Sequence, residues 1–368
     1  MVIELADIFR SCGPAYRQKY AGRIPFNHLQ SMRAIESCRT EVLGGQVFTC
    51  PDCQQVQYSY HSCRNRHCPK CQNENGQIWL EAQQKMLLPV PYFMLTFTLP
   101  AGLREIARSH QRLVYDLLFR LSAEAVQKLA KDSHFIGGQL GLIGVLHTWG
   151  RNLSYHPHIH YMIPSGGLAF DGHTWLAARY KFLLPVKALS KIFRAKMRQA
   201  LRKIGSKWQI PNEVWQKDWV VHCKQVGNGC QALKYLAPYI FRVAIGNKRI
   251  QLFENNQVTF RYRTSDTGQE RLCTLAAEEF IHRFLQHVLP KGFVKVRYFG
   301  FFSSGSRKRL TVIKQQVCQA AKGPTKTDNA QETTTSSKPV HRCPVCGRQM
   351  QSGSLIMPTN GPAPPCAN

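Results

Sequence analysis

Apolar and polar positions divide the chain into three stretches with different patterning. Residues 1 to about 88 hold a short helical opening, a Gly44-Gly45 break and half of the cysteines, the marks of a separate metal-stapled module. From Pro89 the run PYFMLTFTL has the aromatic and β-branched enrichment of a buried strand. AGLREIARSHQRLVYDLLFRLSAEAVQKLAK then spaces its apolar residues as a helix does. GLIGVLHTW and HPHIHYMI predict two strands joined by GRNLSY, followed by a helix through about 185–205 and a strand at WVVHCKQV. QALKYLAPYIFRVAI predicts a helix, and RIQLFENNQVTFRYR a hairpin turning at Asn255-Asn256. LAAEEFIHRFLQHVL predicts a further helix and FVKVRYFGFF a last strand. The pattern is α+β with antiparallel neighbours. Beyond about residue 319, AAKGPTKTDNAQETTTSSKP is polar, Thr-rich and aperiodic, which predicts a disordered linker leading to a small tail. The expected domains are 1–88, 89–310 and 311–368.

Composition adds a partner. Lys and Arg number 49 against 21 Asp and Glu, a formal charge of +28, while charged residues make up only 19% of the chain. Acid is depleted more than base is added, so the surface repels phosphate little and predicts a nucleic-acid partner. No apolar run approaches the roughly 18 residues of a membrane span. The opening MVIELADIFRSCGPAYRQKY has acidic residues where a secretory leader is basic, which predicts neither signal nor transit peptide. The expected location is the cytoplasm, at the nucleoid when DNA is bound. In that reducing compartment the 14 cysteines point to metal or packing before disulfides.

Cys50-x-x-Cys53 and Cys68-x-x-Cys71 flank residues 54–67, close to the spacing at which two thiolate pairs close one tetrahedral zinc site. Four short ligands fill the shell, so this zinc is structural. Cys63 and His67 between the pairs, and Cys38 before them, leave open a different ligand choice or a second metal. Arg64, Arg66 and Lys70 lie among these ligands, where zinc would rigidify a basic loop against phosphate. In the tail, His341, Cys343, Cys346 and Cys366 offer a second small zinc site of their own.

His156, His158 and His160 alternate along one strand and therefore face one way, with Ile159 and Tyr161 facing the other. His147 on the neighbouring strand offers a further ligand. Neutral imidazoles suit a divalent ion that grips a phosphate oxygen and polarises phosphorus, with Mg²⁺ or Mn²⁺ as the working ion. Tyr235 and Tyr239, four apart in LKYLAPYIFR, share one face of a helix. Arg261, Arg263 and Arg297 interleave with Tyr and Phe in RYRTSD and KVRYFGFF, a combination that suits the backbone and bases of single-stranded DNA.

FTLP at 97–100, HPHIH at 156–160 and KYLAPY at 234–239 stand in the order found in HUH endonucleases. The chain most resembles the two-tyrosine HUH transposases of rolling-circle insertion sequences, through SCRNRHCPKCQ, HPHIHYMIPSGG, LKYLAPYIFRVAI and FLQHVLPKGFVKVRYFGF, over about residues 1–310. The resemblance implies a zinc-ribbon-like module followed by a catalytic domain whose antiparallel sheet brings histidines and tyrosine face to face. It implies that a tyrosine attacks a phosphodiester at the single-stranded ends of a mobile element while His158 and His160 hold the metal. A 5′-phosphotyrosine and a free 3′-OH would result. The family pattern does not fix the third ligand, for which His147 and His156 are the candidates. Pro238 is expected to bend the helix so that the two tyrosines diverge and serve successive cleavages. An oligomer is compatible with this reading. Two alternatives stay open: a zinc protein that binds and regulates DNA without cutting it, and a metal-dependent nuclease that uses water.

Overall fold

The computed structural model describes residues 3–71, 79–179, 181–204, 208–241, 243–264, 267–320 and 341–359. In chain order the elements begin with α1 (Leu5–Lys19), α2 (Phe26–Glu36), β1 (Gly45–Thr49), β2 (Val56–Tyr60), β3 (Pro91–Thr98), α3 (Gln111–Ala130), β4 (Leu142–Trp149) and β5 (Tyr155–Pro164). Next come β6 (Gly166–Leu168), β7 (Trp175–Ala177), α4 (Val186–Lys203), β8 (Val221–Asn228), α5 (Gly229–Phe241) and β9 (Ile250–Glu254). The series closes with β10 (Gln257–Arg263), β11 (Glu270–Ala276), α6 (Ala277–Leu285), β12 (Val296–Phe299), α7 (Arg307–Ala320) and β13 (Gln351–Ile356). They gather into two compact units, each discontinuous in sequence. One comprises Met1–Gln72, Ile245–Leu285 and Pro324–Asn368, the other Asn73–Ala244 and Gln286–Gly323. The expected boundaries at 88 and 310 are not those of the units, because 245–285 and the tail group with the cysteine-rich opening. Among the described residues no helix is long and apolar enough to cross a membrane.

In the first unit, α1 buries Leu5, Ile8, Phe9 and Tyr16, one helical stripe. Phe9 meets Phe284 of α6 edge-on, and Phe280 of α6 packs against Phe260 of β10. The β9–β10 hairpin turns at the expected place, with Asn255 and Asn256 at φ of 49° and 57°. Asn tolerates this left-handed backbone, which is why two asparagines mark the turn. The strand Glu270–Ala276 was not expected; it takes the first two residues of the stretch predicted as helix, and α6 ends at Leu285. A separate three-stranded sheet has the order β13-β1-β2, so the tail pairs with a strand near the start of the chain.

The second unit is built on a five-stranded antiparallel sheet in the order β12-β4-β5-β3-β8. Side chains alternate between its faces. Phe93, Leu95, Phe97, Ile159, Tyr161 and Ile163 cover one face and pack with Tyr115, Leu118 and Phe119 of α3 and with Leu189, Phe193 and Met197 of α4. Tyr161 is fully buried and satisfies its hydroxyl by donating to the Phe119 carbonyl at 3.0 Å, with Ser122 Oγ at 2.8 Å. A glycine stands opposite at position 144 because a Cβ there would lie 2.5 Å from the Tyr161 ring. The other face carries Tyr92, Met94, Ile143, Val145 and Met162, which pack with Ala232, Leu233 and Leu236 of α5 and with Leu310, Ile313 and Val317 of α7. Burial of each large apolar side chain stabilises the unit by roughly 1.5–3 kcal/mol. The last predicted strand is shorter than its apolar run, because Gly300–Phe302 turns as a short helix that buries Phe301 and Phe302.

Candidate catalytic and metal centres

Three buried imidazoles meet on the α5 side of the five-stranded sheet. His147 of β4 pairs with His158 of β5, while His160 lies between Val145 of β4 and Thr96 of β3. These positions share the face of Met94, Ile143, Val145 and Met162, because every second residue of a strand points the same way. Their ligand nitrogens all lie within 4.8 Å of one another. His158 Nδ1 donates to the His156 carbonyl at 2.6 Å, which leaves Nε2 as the lone-pair nitrogen, 3.0 Å from His147 Nδ1. Bonds of ~2.1 Å to one ion place adjacent ligands about 3.0 Å apart in octahedral geometry, so this pair fits a shared metal. Thr96 Oγ1 is 3.0 Å from His160 Nδ1 and orients that ring.

Burial keeps these rings neutral. It lowers the pKa of His158 to about 4 and that of His160 to about 3, and holds His147 well below the ordinary imidazole value. Neutral imidazole is the form that ligates a metal. His156 is not brought into the group, although alternation along the strand suggested it. Its Nδ1 accepts from Arg104 Nη2 at 2.7 Å, and a register irregularity between His147 and Trp149 interrupts the row beside it. Sequence reading missed Thr96 and Arg104, neither of which belongs to a motif.

Helix α5 carries positions 235 and 239. It continues to Phe241 through Pro238, so the residue expected to bend the helix does not end it. The side chains of Tyr235, Pro238 and Tyr239 lie outside the described residues, and so does the expected divergence of the two tyrosines. Helix positions 232, 235, 236 and 239 form one i, i+3, i+4, i+7 stripe. Ala232 and Leu236 of that stripe are buried against the histidine face of the sheet.

The cysteines do not pair as their spacing suggested. Cys68 and Cys71 converge with Cys38 and Cys63, while Cys50 and Cys53 converge with Cys343 and Cys346 of the tail. In the first group Cys71 Sγ lies 3.5 Å from Cys38 Sγ and 3.6 Å from Cys63 Sγ. Edges of a tetrahedron with Zn–S bonds of ~2.3 Å are about 3.8 Å, against roughly 2.05 Å for a disulfide. The single site of Cys50, Cys53, Cys68 and Cys71 is therefore corrected to two groups. His67 belongs to neither, and its backbone N–H donates to Asn65 Oδ1. His341 stacks on Phe48 at 4.0 Å instead of joining the tail cysteines, and Cys366 lies outside the described residues.

Of the basic residues, Arg64, Arg66, Arg261 and Arg263 are exposed. Arg261 reaches Glu270 at 3.6 Å. Lys70 is tied to Glu4 at 2.5 Å. Arg297 pairs with Asp116, and its guanidinium lies 4.6 Å from the Phe119 ring and 5.1 Å from Phe293. A basic surface that sequence reading overlooked lies on α4. Leu189, Phe193, Met197 and Leu201 turn inward, and Lys191, Arg194, Arg198 and Arg202 follow the outer stripe beside Trp215. Helical spacing of Lys and Arg in KALSKIFRAKMRQALRK was the available signal.

Comparison with known proteins shows similarity to transposases. Residues 141–309 match a family model described as "Putative transposase", and residues 8–99 match one described as "Transposase zinc-binding domain". The chain is 37% identical over 388 residues to "Putative transposase y4qJ" of Sinorhizobium fredii (strain NBRC 101917 / NGR234), covering 98% of this chain and 97% of that one. It is 28% identical over 320 residues to "Transposase for insertion sequence element IS801" of Pseudomonas savastanoi pv. phaseolicola, covering 81% of this chain and 76% of that protein. No solved structure matches the chain. Histidines on a sheet face, a helix packed on that face and converging cysteines thus accompany similarity along nearly the whole sequence, and the chain belongs to the family of rolling-circle insertion-sequence transposases that carry a transposase zinc-binding domain.

Proposed function

We propose that this transposase nicks and rejoins single-stranded DNA at the ends of its mobile element through Tyr235 and Tyr239, leaving a 5′-phosphotyrosine. The observation that carries the reading is the packing of α5 on the sheet face that holds His147, His158 and His160. The three imidazoles would hold Mg²⁺ or Mn²⁺, which supplies positive charge to the scissile phosphate. The tyrosine oxygen bonds to phosphorus as the bond from phosphorus to the 3′ oxygen breaks. The phenol loses its proton, and the departing oxygen gains one to give a 3′-OH. The phosphodiester is exchanged and not hydrolysed, so rejoining needs no high-energy cofactor. Two tyrosines allow two strand ends to be held at once, and an oligomer is compatible with that division of labour.

Arg64, Arg66, Arg261 and Arg263 serve in this reading as backbone contacts, and zinc at Cys38, Cys63, Cys68 and Cys71 stiffens the loop that bears Arg64 and Arg66. The enzyme acts on DNA in the cytoplasm. The test is incubation with labelled single-stranded oligonucleotides carrying the element's ends and Mn²⁺, resolved on denaturing gels. The expected result is a covalent adduct that weakens in Tyr235→Phe and Tyr239→Phe and vanishes in the double variant. Nicking without an adduct would establish hydrolysis by water instead, and tight binding without nicking a regulatory protein.

A further inference from the structure

Cys343 and Cys346 lie outside both matched family segments, 141–309 and 8–99. They nevertheless meet Cys50 and Cys53 across most of the chain. Cys50 Sγ is 3.4 Å from Cys346 Sγ, and Cys53 Sγ is 3.5 Å from Cys343 Sγ and 3.7 Å from Cys346 Sγ. These separations are those of sulfurs sharing one ion, for which tetrahedral edges are about 3.8 Å, and far exceed a disulfide bond of roughly 2.05 Å.

The two Cys-Pro-x-Cys turns have the same backbone. The Cys50 N–H donates to the Gln55 carbonyl at 2.9 Å and the Gln54 N–H to the Cys50 carbonyl at 3.0 Å. Correspondingly, the Cys343 N–H donates to the Arg348 carbonyl at 2.7 Å and the Gly347 N–H to the Cys343 carbonyl at 2.9 Å. Gln54 and Gly347 both take positive φ, 56° and 74°. Backbone amides of Asp52 and Cys53 point at the Cys50 sulfur, and those of Val345 and Cys346 at the Cys343 sulfur. The Gln55 and Arg348 amides do the same for Cys53 and Cys346. Two equivalent turns that direct N–H groups at four converging sulfurs offset the negative charge of four thiolates around one dication. Cys50 and Cys343 are buried, and Met350 and Phe48 pack against them. Strand β13, which follows the second turn, pairs with β1, which precedes the first, in a register from Gly45–Ile356 to Thr49–Gln351.

We propose that Cys50, Cys53, Cys343 and Cys346 bind a second zinc ion, and that the tail is thereby a structural half of the zinc-binding module. The full-length protein then holds two zinc ions, the other at Cys38, Cys63, Cys68 and Cys71. Both sites are closed tetrathiolates with no position left for substrate.

The experiment measures zinc per chain by elemental analysis of purified full-length protein and repeats it on three variants. Expected values are two equivalents in the wild type and one each in Cys50→Ser/Cys53→Ser, Cys343→Ser/Cys346→Ser and the variant that combines all four substitutions. A combined variant that falls below either pair would show that the pairs serve separate ions and would overturn the proposal. Wild type carrying one equivalent would overturn it without recourse to any variant. Cadmium-substituted wild type provides a readout that does not depend on variants folding. Two ¹¹³Cd resonances in the tetrathiolate range are expected, and a single one refutes the second site.

Discussion

Replacing Thr96 by Val tests whether the histidine cluster is a metal centre held from β3. Valine keeps the β-branched shape that suits a strand and removes only the hydroxyl 3.0 Å from His160 Nδ1. That hydroxyl sets which nitrogen of the His160 ring is presented to an ion, and removal of such a partner lowers metal affinity by roughly 10–100-fold, about 1.4–2.7 kcal/mol. Loss of the hydrogen bond at this buried site also costs the fold about 0.5–1.5 kcal/mol. Nicking rate against Mn²⁺ concentration should show a half-saturating concentration raised ten-fold or more, with the rate largely recovered at saturating metal. Electron paramagnetic resonance titration of free Mn²⁺ should report the same shift without DNA. An unchanged Mn²⁺ dependence would refute the assignment of Thr96 to metal positioning. A loss of rate that metal does not restore would refute it too, since the hydroxyl would then act elsewhere in the reaction.

Two further outcomes follow from the described surfaces and burial. Neutralising Lys191, Arg198 and Arg202 to Gln on α4 should weaken single-stranded DNA binding at low salt and flatten the plot of log K against log salt by about 2, at ~0.7 for each phosphate no longer neutralised; an unchanged slope in filter binding would mean that this stripe faces only solvent. Burial lowers the pKa of His287 from 6.5 to about 4 while its Nε2 donates to the Leu153 carbonyl. Its folded pKa is depressed, so on acidification the unfolded chain takes up the proton first. Stability that is fully present above pH 6.5 falls as the pH drops towards 4, by about 3 kcal/mol for this group. Urea midpoints should therefore decline less steeply over that window in His287→Gln than in wild type.

Local patterns in the sequence carried the elements, and partnerships across long separations were beyond them. Alternation in HPHIHYMI correctly placed His158 and His160 opposite Ile159 and Tyr161, because strand periodicity is a local property. The same rule included His156, whose ring is drawn to Arg104 from a short helix that no spacing links to it. Asn255-Asn256 announced its turn through the backbone those residues tolerate. Cysteine spacing failed for a physical reason: CPDC, CPKC and CPVC share one sequence pattern, so sequence distance favoured the nearest two, while the sheet supplied the third. Nothing beside Arg297 in the sequence announces Asp116 of α3, which pairs with it in the folded unit.

Pairing of β1 with β13 also sets an order of events during synthesis. The sulfurs of Cys38 and Cys71 are 33 positions apart, whereas those of Cys53 and Cys343 are 290 apart. At about 5–20 residues per second the ribosome needs roughly 15–60 s to travel the longer interval. Throughout that time β1 offers an unpaired edge, the kind of surface that recruits foreign strands. A nascent chain thus carries a half-built module while its entire five-stranded sheet is being made. Ribosomes that stall or messages cut short between codons 160 and 343 would yield polypeptides with the three clustered histidines but without the third Cys-x-x-Cys. Completion of the module is in this sense a record that translation passed through the unit that bears the histidines.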